Sequence, residues 1–299
     1  MGRTSTEARF GQKNFRRIGI SGMNIEWSKK ILIDLAETGV EEFVFCAGAR
    51  NSPLVMALDR AKGIKAYSFF EERSASFFAL GLARASGRPV AVITTSGTAA
   101  AELLPATIEA FHTGVPLILV TADRPRRLRG TGAPQAIDQT GLYAKFVAAE
   151  FDLELGGEFE LGEWQKRAPV HINICFDEPL IDGTLEEFHI DTSYEDTFVG
   201  ASRCTSTTSA EWASVRLARF MKMPGDLMVL VGTLESNRER ATVSTFLREL
   251  GAPVYLEATS GLREDQSLGM IALRSGDKIL PKALKDYGIK RVLRLGGVP

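Results

Sequence analysis

Apolar residues first fall into a regular pattern between Trp27 and Thr38. Ile31, Leu32, Leu35 and Ala36 recur at three- and four-residue intervals, which puts them on one helix face, and Gly39 follows as a stop. Beyond it, short apolar runs alternate with helical stretches. The runs lie at 43–46, 66–70, 90–94 and 117–120. Helices are predicted over 53–61, 74–86 and 99–112, each followed closely by a glycine: Gly63, Gly87 and Gly114. Continuous apolar runs belong to strands buried on both faces, and their alternation with helices is the pattern of a parallel sheet covered by helices. The expected fold class is α/β, a parallel sheet flanked by helices, closing near Pro179 after one more strand at 170–174.

A polar stretch at 182–209, with Thr and Ser filling 205–209, reads as a linker. A second α/β pattern then fills 210–299, with runs at 227–231, 253–256 and 291–295 and helices over 235–250 and near 279–287. Residues 23–181 are thus predicted to form the first domain. Residues 1–22 form a polar, basic leader without the apolar core of a secretion signal. It reads as a disordered tail with Met23 as an alternative start, an arginine-rich transit peptide being the other reading. Gly296 to Pro299 follow directly on a strand, at a loop position where a functional segment ordinarily comes next. The second domain is therefore expected to be truncated.

Length and composition narrow the classes. A chain of 299 residues suits two domains, and its 44% hydrophobic and 24% charged content is that of a soluble globular protein. With 36 basic against 37 acidic residues there is no net field to hold a polyanion, which disfavours nucleic acid as a partner. Cys46, Cys175 and Cys204 lie far apart and only three histidines are present, so no metal ligands are assigned. Cys46 and Cys175 read as small core residues in strands. No apolar stretch approaches the roughly 18 residues of a membrane span, and a cytoplasmic setting is the default expectation.

In an open parallel sheet ligands bind beyond the carboxyl ends of the strands. The loops there are AGARNS at 47–52, EERS at 71–74, TSGT at 95–98 and ADRP at 122–125. Together they bring carboxylates, arginines, hydroxyls and glycines to one rim. The glycine fingerprints of dinucleotide and P-loop sites are absent from the chain, so the rim is expected to bind something else.

The ordered set AGARNSPL, EERSA, TSGTAA and TADRP resembles the pyrimidine-binding domain of the 2-succinyl-5-enolpyruvyl-6-hydroxy-3-cyclohexene-1-carboxylate (SEPHCHC) synthases, thiamine-diphosphate enzymes of menaquinone biosynthesis. GAPQAIDQ at 132–139 and PVHIN at 169–173 are similar to that family too, and the likeness continues weakly through SGLR at 260–263 and LGGVP at 295–299. The resemblance implies a carboligase that decarboxylates 2-oxoglutarate on thiamine diphosphate and adds the product carbanion to isochorismate. It implies Glu72 as the catalytic acid that contacts the aminopyrimidine nitrogen and exchanges a proton with it. Capping of the helix that begins near Ser74 is the other reading of Glu72. Arg50 and Arg124 match the family's substrate-carboxylate positions, as a planar guanidinium gripping a carboxylate would require, and Gln135 matches its polar substrate contact. Arg126, Arg127 and Arg129 read as a solvated face.

Gly48, Gly97 and Thr98 are further cofactor-side candidates. The glycines either admit the cofactor or make tight turns, and Ser96 and Thr98 either bind or cap the next helix. The family's usual proline and serine in the first loop are Ala47 and Ala49 here, so a substrate contact at Ala49 has to come from its backbone. The diphosphate and its Mg2+ are implied to sit in a C-terminal domain with a Gly-Asp-Gly motif that this sequence does not contain. The chain by itself is then expected to be inactive, its site completed by a homodimer or tetramer partner or by a separate C-terminal chain. Two alternatives stand beside this reading: an acetolactate-synthase-like 2-oxoacid decarboxylase, and a non-catalytic assembly module of the same fold.

Overall fold

The computed structural model describes residues 23–162, 164, 166–192, 207–234, 237–273, 276–286 and 288–297. The leader read at 1–22 and Cys204 lie outside them. The first part of the chain runs α1 (Met23–Glu37), β1 (Glu42–Cys46), α2 (Ser52–Arg60), β2 (Ala61–Lys62), β3 (Lys65–Phe69), α3 (Glu72–Ser86), β4 (Val90–Thr94), α4 (Thr98–Ala101), α5 (Leu104–Thr113), β5 (Leu117–Asp123), β6 (Ala149–Glu154), β7 (Val170–Cys175) and β8 (Phe188–His189). Six strands form one sheet in the order β3-β1-β4-β5-β7-β6, and every neighbouring pair is parallel.

Strand periodicity divides the core. Phe43, Ala91, Ile93, Ile118, Val120 and Ile172 pack with α1 and α2 on one face, through Leu32, Leu35 and Leu54. On the other face Val44, Val92, Leu117 and Leu119 pack with α3 and α5. Both faces are covered, which is why these strands read as unbroken apolar runs. Gly87 and Gly114 close α3 and α5 in the left-handed conformation, at φ 72° and 68°.

The helix predicted over 99–112 divides into α4 and α5, because Pro105 sits in the first turn of a new helix. β6 was not anticipated, since Glu150, Asp152 and Glu154 alternate along this edge strand and break the apolar run. Of the stretch read as linker at 182–209, residues 193–206 lie outside the described residues, and both described ends take part in structure. Asp182 accepts hydrogen bonds from the free backbone N–H groups of Asn24 and Ile25 at the start of α1, at 2.7 and 3.3 Å, and β8 pairs with β2. At its far end 207–209 already belong to α6 (Thr207–Met221), whose hydroxyl-rich start suits a turn as well as a helix.

The second unit contains β9 (Asp226–Val231), α7 (Asn237–Leu250), β10 (Val254–Leu256), α8 (Gly276–Asp286) and β11 (Ile289–Leu295), with a parallel sheet in the order β10-β9-β11. Its core is built on Val229, Val231, Leu247, Val254 and Leu268. Among the described residues no helix is long and apolar enough to cross a membrane.

In the six-stranded sheet the chain leaves β1 toward β3 and leaves β4 toward β5. The connections therefore diverge between β1 and β4, and a crevice opens there beyond the strand ends.

Candidate active site at the carboxyl rim of the first sheet

The loops after β1 and β4 meet at this crevice. A Cβ on Gly48 would lie 2.6 Å from Cβ of Thr95, so only glycine lets the two loops close on each other. The Gly48 N–H donates to Oδ1 of the fully buried Asn51, whose Nδ2 donates back to the Cys46 carbonyl, both at 2.8 Å. Gly48 thus makes a tight turn at the mouth of the crevice, where its backbone remains a candidate for the cofactor side. The Arg50 N–H donates to Thr95 Oγ1 at 3.3 Å, and Ala49 is exposed between them.

Two guanidinium groups lie over this loop pair. Arg50 is 12% exposed, pairs with Glu178 at 3.0 Å and donates to the Phe176 carbonyl at 3.3 Å. Arg124 donates from one nitrogen to Ser96 Oγ at 2.9 Å and to the Gln135 carbonyl at 3.0 Å. Among the described residues it has no carboxylate within ion-pair distance. Burial lowers its pKa, and the positive charge of Arg50 adds to that. A partly buried cation beside another cation, with Asp123 and Glu178 acting on it only from beyond ion-pair distance, is what an incoming anion would relieve.

Gly97 and Gln135 interlock. Gly97 has φ 82°, and a Cβ there would lie 2.8 Å from Gln135 Cγ. Gln135 itself has φ 55°, is exposed, and donates from Nε2 to the Ser96 carbonyl at 2.9 Å. Ser96 Oγ donates to the Gln135 carbonyl at 3.0 Å while accepting from Arg124. The capping expectation for Ser96 and Thr98 is corrected here. The residue before α4 is Gly97, with no side-chain cap, and Thr98 is exposed in the first turn.

The two acids after β3 have separate tasks. Glu71 caps α3, accepting from the N–H groups of Arg73 at 3.1 Å and Ser74 at 2.7 Å, and those bonds to Ser74 pull its pKa down. The capping role considered for Glu72 is therefore filled by its neighbour. Glu72 is half-buried and has no hydrogen-bond or ion-pair partner among the described residues. It lies near the end of β1: burial pushes the Cys46 thiol up to about 12, with the charges of Glu72 and Glu71 adding to the shift. Beside it Phe70 is fully exposed and Phe77 is 43% exposed.

Sequence reasoning missed a polar layer behind the rim. Thr121, Asp123, Gln139, His171 and Asn173 are all buried. Arg129, expected on a solvated face, is 22% exposed and bonds Asp152 at 2.6 Å and Asp123 at 3.3 Å. That expectation fails because two carboxylates at the ends of β5 and β6 need a counter-charge. Arg126 and Arg127 are more exposed, and they too are paired, with Asp152 and Asp177. The available signal was His171 and Asn173, two polar residues spaced by two in an otherwise apolar strand. No cluster of metal-ligating side chains occurs among the described residues.

Comparison with known proteins bears on the family and the fold. The family described as "Thiamine pyrophosphate enzyme, N-terminal TPP binding domain" matches residues 28–142. A SEPHCHC synthase of Bdellovibrio bacteriovorus is 43% identical over 279 residues, covering 92% of this chain and 51% of that protein. Its counterpart from Akkermansia muciniphila is 41% identical over 277 residues, covering 91% of this chain and 49% of its own. This chain spans about half the length of these relatives. Among solved structures, a thiamine diphosphate-dependent 4-hydroxybenzoylformate decarboxylase of Rhodococcus jostii RHA1 superposes with a TM-score of 0.57 at 14% identity, over 78% of this chain and 44% of that one. That likeness speaks to the fold alone.

Proposed function

Because the chain belongs to the thiamine-diphosphate enzyme family, we propose that it provides the pyrimidine side of a SEPHCHC synthase site, which decarboxylates 2-oxoglutarate and joins the remaining unit to isochorismate. The observation that carries this reading is Arg124, partly buried beside Arg50 and with no carboxylate within ion-pair distance among the described residues. Both proposed substrates carry carboxylates beyond the reacting centre, and a pair of guanidiniums on one rim suits such anions. An acetolactate-synthase-like enzyme acts on pyruvate, which carries a single carboxylate and has an apolar methyl group where 2-oxoglutarate has its second.

The residues present fit the aminopyrimidine end of thiamine diphosphate. Glu72 offers a carboxyl group released from capping by Glu71. When bound, thiamine diphosphate supplies the electron sink for decarboxylation. Glu72 holds and returns a proton at the aminopyrimidine ring nitrogen. Arg50 and Arg124 orient the substrate through its carboxylate, Gln135 adds a polar contact from the opposite loop, and Ala49 contributes its backbone. Gly97 and Thr98 line the cofactor side. Mg2+ is proposed together with the diphosphate, held by groups other than the described residues. Turnover is accordingly expected when these groups are supplied by a further segment, a second copy of the chain or a separate chain.

The test is a substrate comparison in such a reconstituted preparation. Condensation of 2-oxoglutarate with isochorismate, with little turnover of pyruvate, is the expected result. Preferential use of pyruvate would favour the acetolactate-like reading. Association of the parts without any product would favour an assembly module.

A further inference from the structure

The chemistry proposed above leaves the buried polar layer behind the rim unused. Its centre is Asn173 on β7, whose four hydrogen-bonding positions are all filled. Nδ2 donates to Asp152 Oδ1 at 2.8 Å and to Asp123 Oδ2 at 3.2 Å. Oδ1 accepts from Thr121 Oγ1 and from Gln139 Nε2, both at 2.8 Å. The two ends of an amide are alike in size, so its direction is decided by what faces it. Here charge decides it, because an ionised carboxylate only accepts. Asn173 must turn its NH2 toward Asp123 and Asp152, which leaves its oxygen facing Gln139. Gln139 must then offer its own NH2 to Asn173 and to the Ala122 carbonyl at 3.3 Å. Its oxygen is left for one group, the Gly97 N–H at 2.9 Å.

Asp152 is kept ionised. Burial acts to raise its pKa, but hydrogen bonds from Arg129, Asn173 and Arg126 outweigh burial and hold it well below the usual carboxylate range. Polarity therefore passes one way, from two carboxylates through two side-chain amides to a single backbone N–H at the crevice. That N–H belongs to the turn whose preceding residue, Ser96, holds both Gln135 and Arg124. The left-handed backbone at Gln135, a non-glycine residue at φ 55°, makes the loop that meets this turn costly to keep without an external hold.

We propose that Asn173 and Gln139 are positioning residues: they lock the Ser96–Gly97 turn, and through it hold Gln135 and Arg124 in the geometry that receives a substrate carboxylate. The choice of substrate rests on the function proposed above; the locking of the turn does not.

Amide hydrogen exchange of the peptide carrying Gly97, measured on the full chain, reads the lock without any substrate. Asn173→Asp replaces the donating NH2 by an oxygen that faces Asp123 and Asp152. With a proton on that oxygen one of the two donated bonds is kept and the other side-chain oxygen still accepts from Thr121 and Gln139; without it three carboxylates meet. Arg129, Cys175 and, through Thr121, His171 with Glu150 are the other titratable groups around this centre. They are shared with the unmodified chain, which serves as the control at each pH. Protection of Gly97 in Asn173→Asp is expected to lie nearest the control at mildly acidic pH, where one donated bond is kept, and to fall a further tenfold or so above neutrality, the scale for loss of one hydrogen bond to a buried group. Should that variant not fold, Gln139→Met keeps the side-chain length, removes both donor and acceptor, and is expected to lose the same protection at every pH. Unchanged protection in Gln139→Met, or an Asn173→Asp profile parallel to the control, overturns the proposal. In a preparation that turns over 2-oxoglutarate, the same variants are expected to raise KM about tenfold with a smaller change in kcat, and a loss confined to kcat would overturn the link to substrate. If the unmodified protein turns over no 2-oxoacid at all, the proposed function fails, and the exchange measurement still decides the lock.

Discussion

At Glu71 and Glu72 two identical side chains meet different surroundings, and that contrast makes their roles separable. Glu72→Gln removes the ionisable group but keeps size and helix position. Turnover is expected to fall about 10²-fold or more, the usual scale for a proton-transfer group, with KM for 2-oxoglutarate nearly unchanged. Glu71→Ala should do the reverse, lowering the melting temperature through loss of the α3 cap while a large part of the turnover survives. Steady-state kinetics and calorimetry on the two variants read the difference. At Arg124 the expected change is in binding. Arg124→Ala should raise KM for 2-oxoglutarate by about 10- to 100-fold, the range for losing a charge-assisted pair of hydrogen bonds. Arg124→Lys should recover little of it, since a point charge cannot reproduce the fork.

Among elements, the junction of β5, β6 and β7 is where charge enters the fold. Asp152 on the edge strand β6 gathers Arg126, Arg129 and Asn173, and Asp177 beyond β7 is gripped by both terminal nitrogens of Arg127. Both carboxyl groups have folded-state pKa values below their ordinary ones. A depressed carboxylate contributes stability that is complete above its unfolded pKa, about 3.9, and is lost as pH falls toward the folded value. Stability measured by chemical denaturation should therefore decline below about pH 4, and more gently in Asp152→Asn. The same substitution should cost about 2 kcal/mol at neutral pH. That is less than a fully buried pair would lose, because Asp152 keeps 18% of its side-chain surface in water. In the loop after β1, Gly48→Ala drives a methyl group to within 2.6 Å of Thr95, and about 1–3 kcal/mol of destabilisation is expected in the same assay.

For the whole molecule, the proposed site lies at an open edge. Glu72 is half-buried in one chain, and exposed aromatic rings occur on the same segment, at Phe70 just after the edge strand β3 and at Phe77 on helix α3. Large exposed aromatics beside a functional carboxyl group suit a surface that a second chain covers. A homodimer that encloses Glu72 is accordingly part of the proposal. Phe70→Ser combined with Phe77→Ser should shift the protein toward monomer in sedimentation velocity and lower activity together with the assembly. Activity retained by a monomer would remove the need for that partner.

The repeating alternation of apolar runs and helices determined the parallel sheet, because strands buried on both faces cannot tolerate polar residues in sequence. The rim loops were legible for the same reason: polar residues placed just after such strands have one edge to occupy. The motif set at Arg50, Glu72, Arg124 and Gln135 was likewise readable in the chain. Which acid caps α3 was not, since Glu71 and Glu72 differ only in the backbone angles that follow the end of β3. Arg129 looked like a surface residue and Gln139 was given no role of its own because their partners, Asp123, Asp152 and Asn173, lie 6 to 34 positions away in sequence and come together only when β5, β6 and β7 align. Tertiary structure decided those contacts, for a carboxylate buried at a strand end must be matched by whatever donors the fold brings beside it.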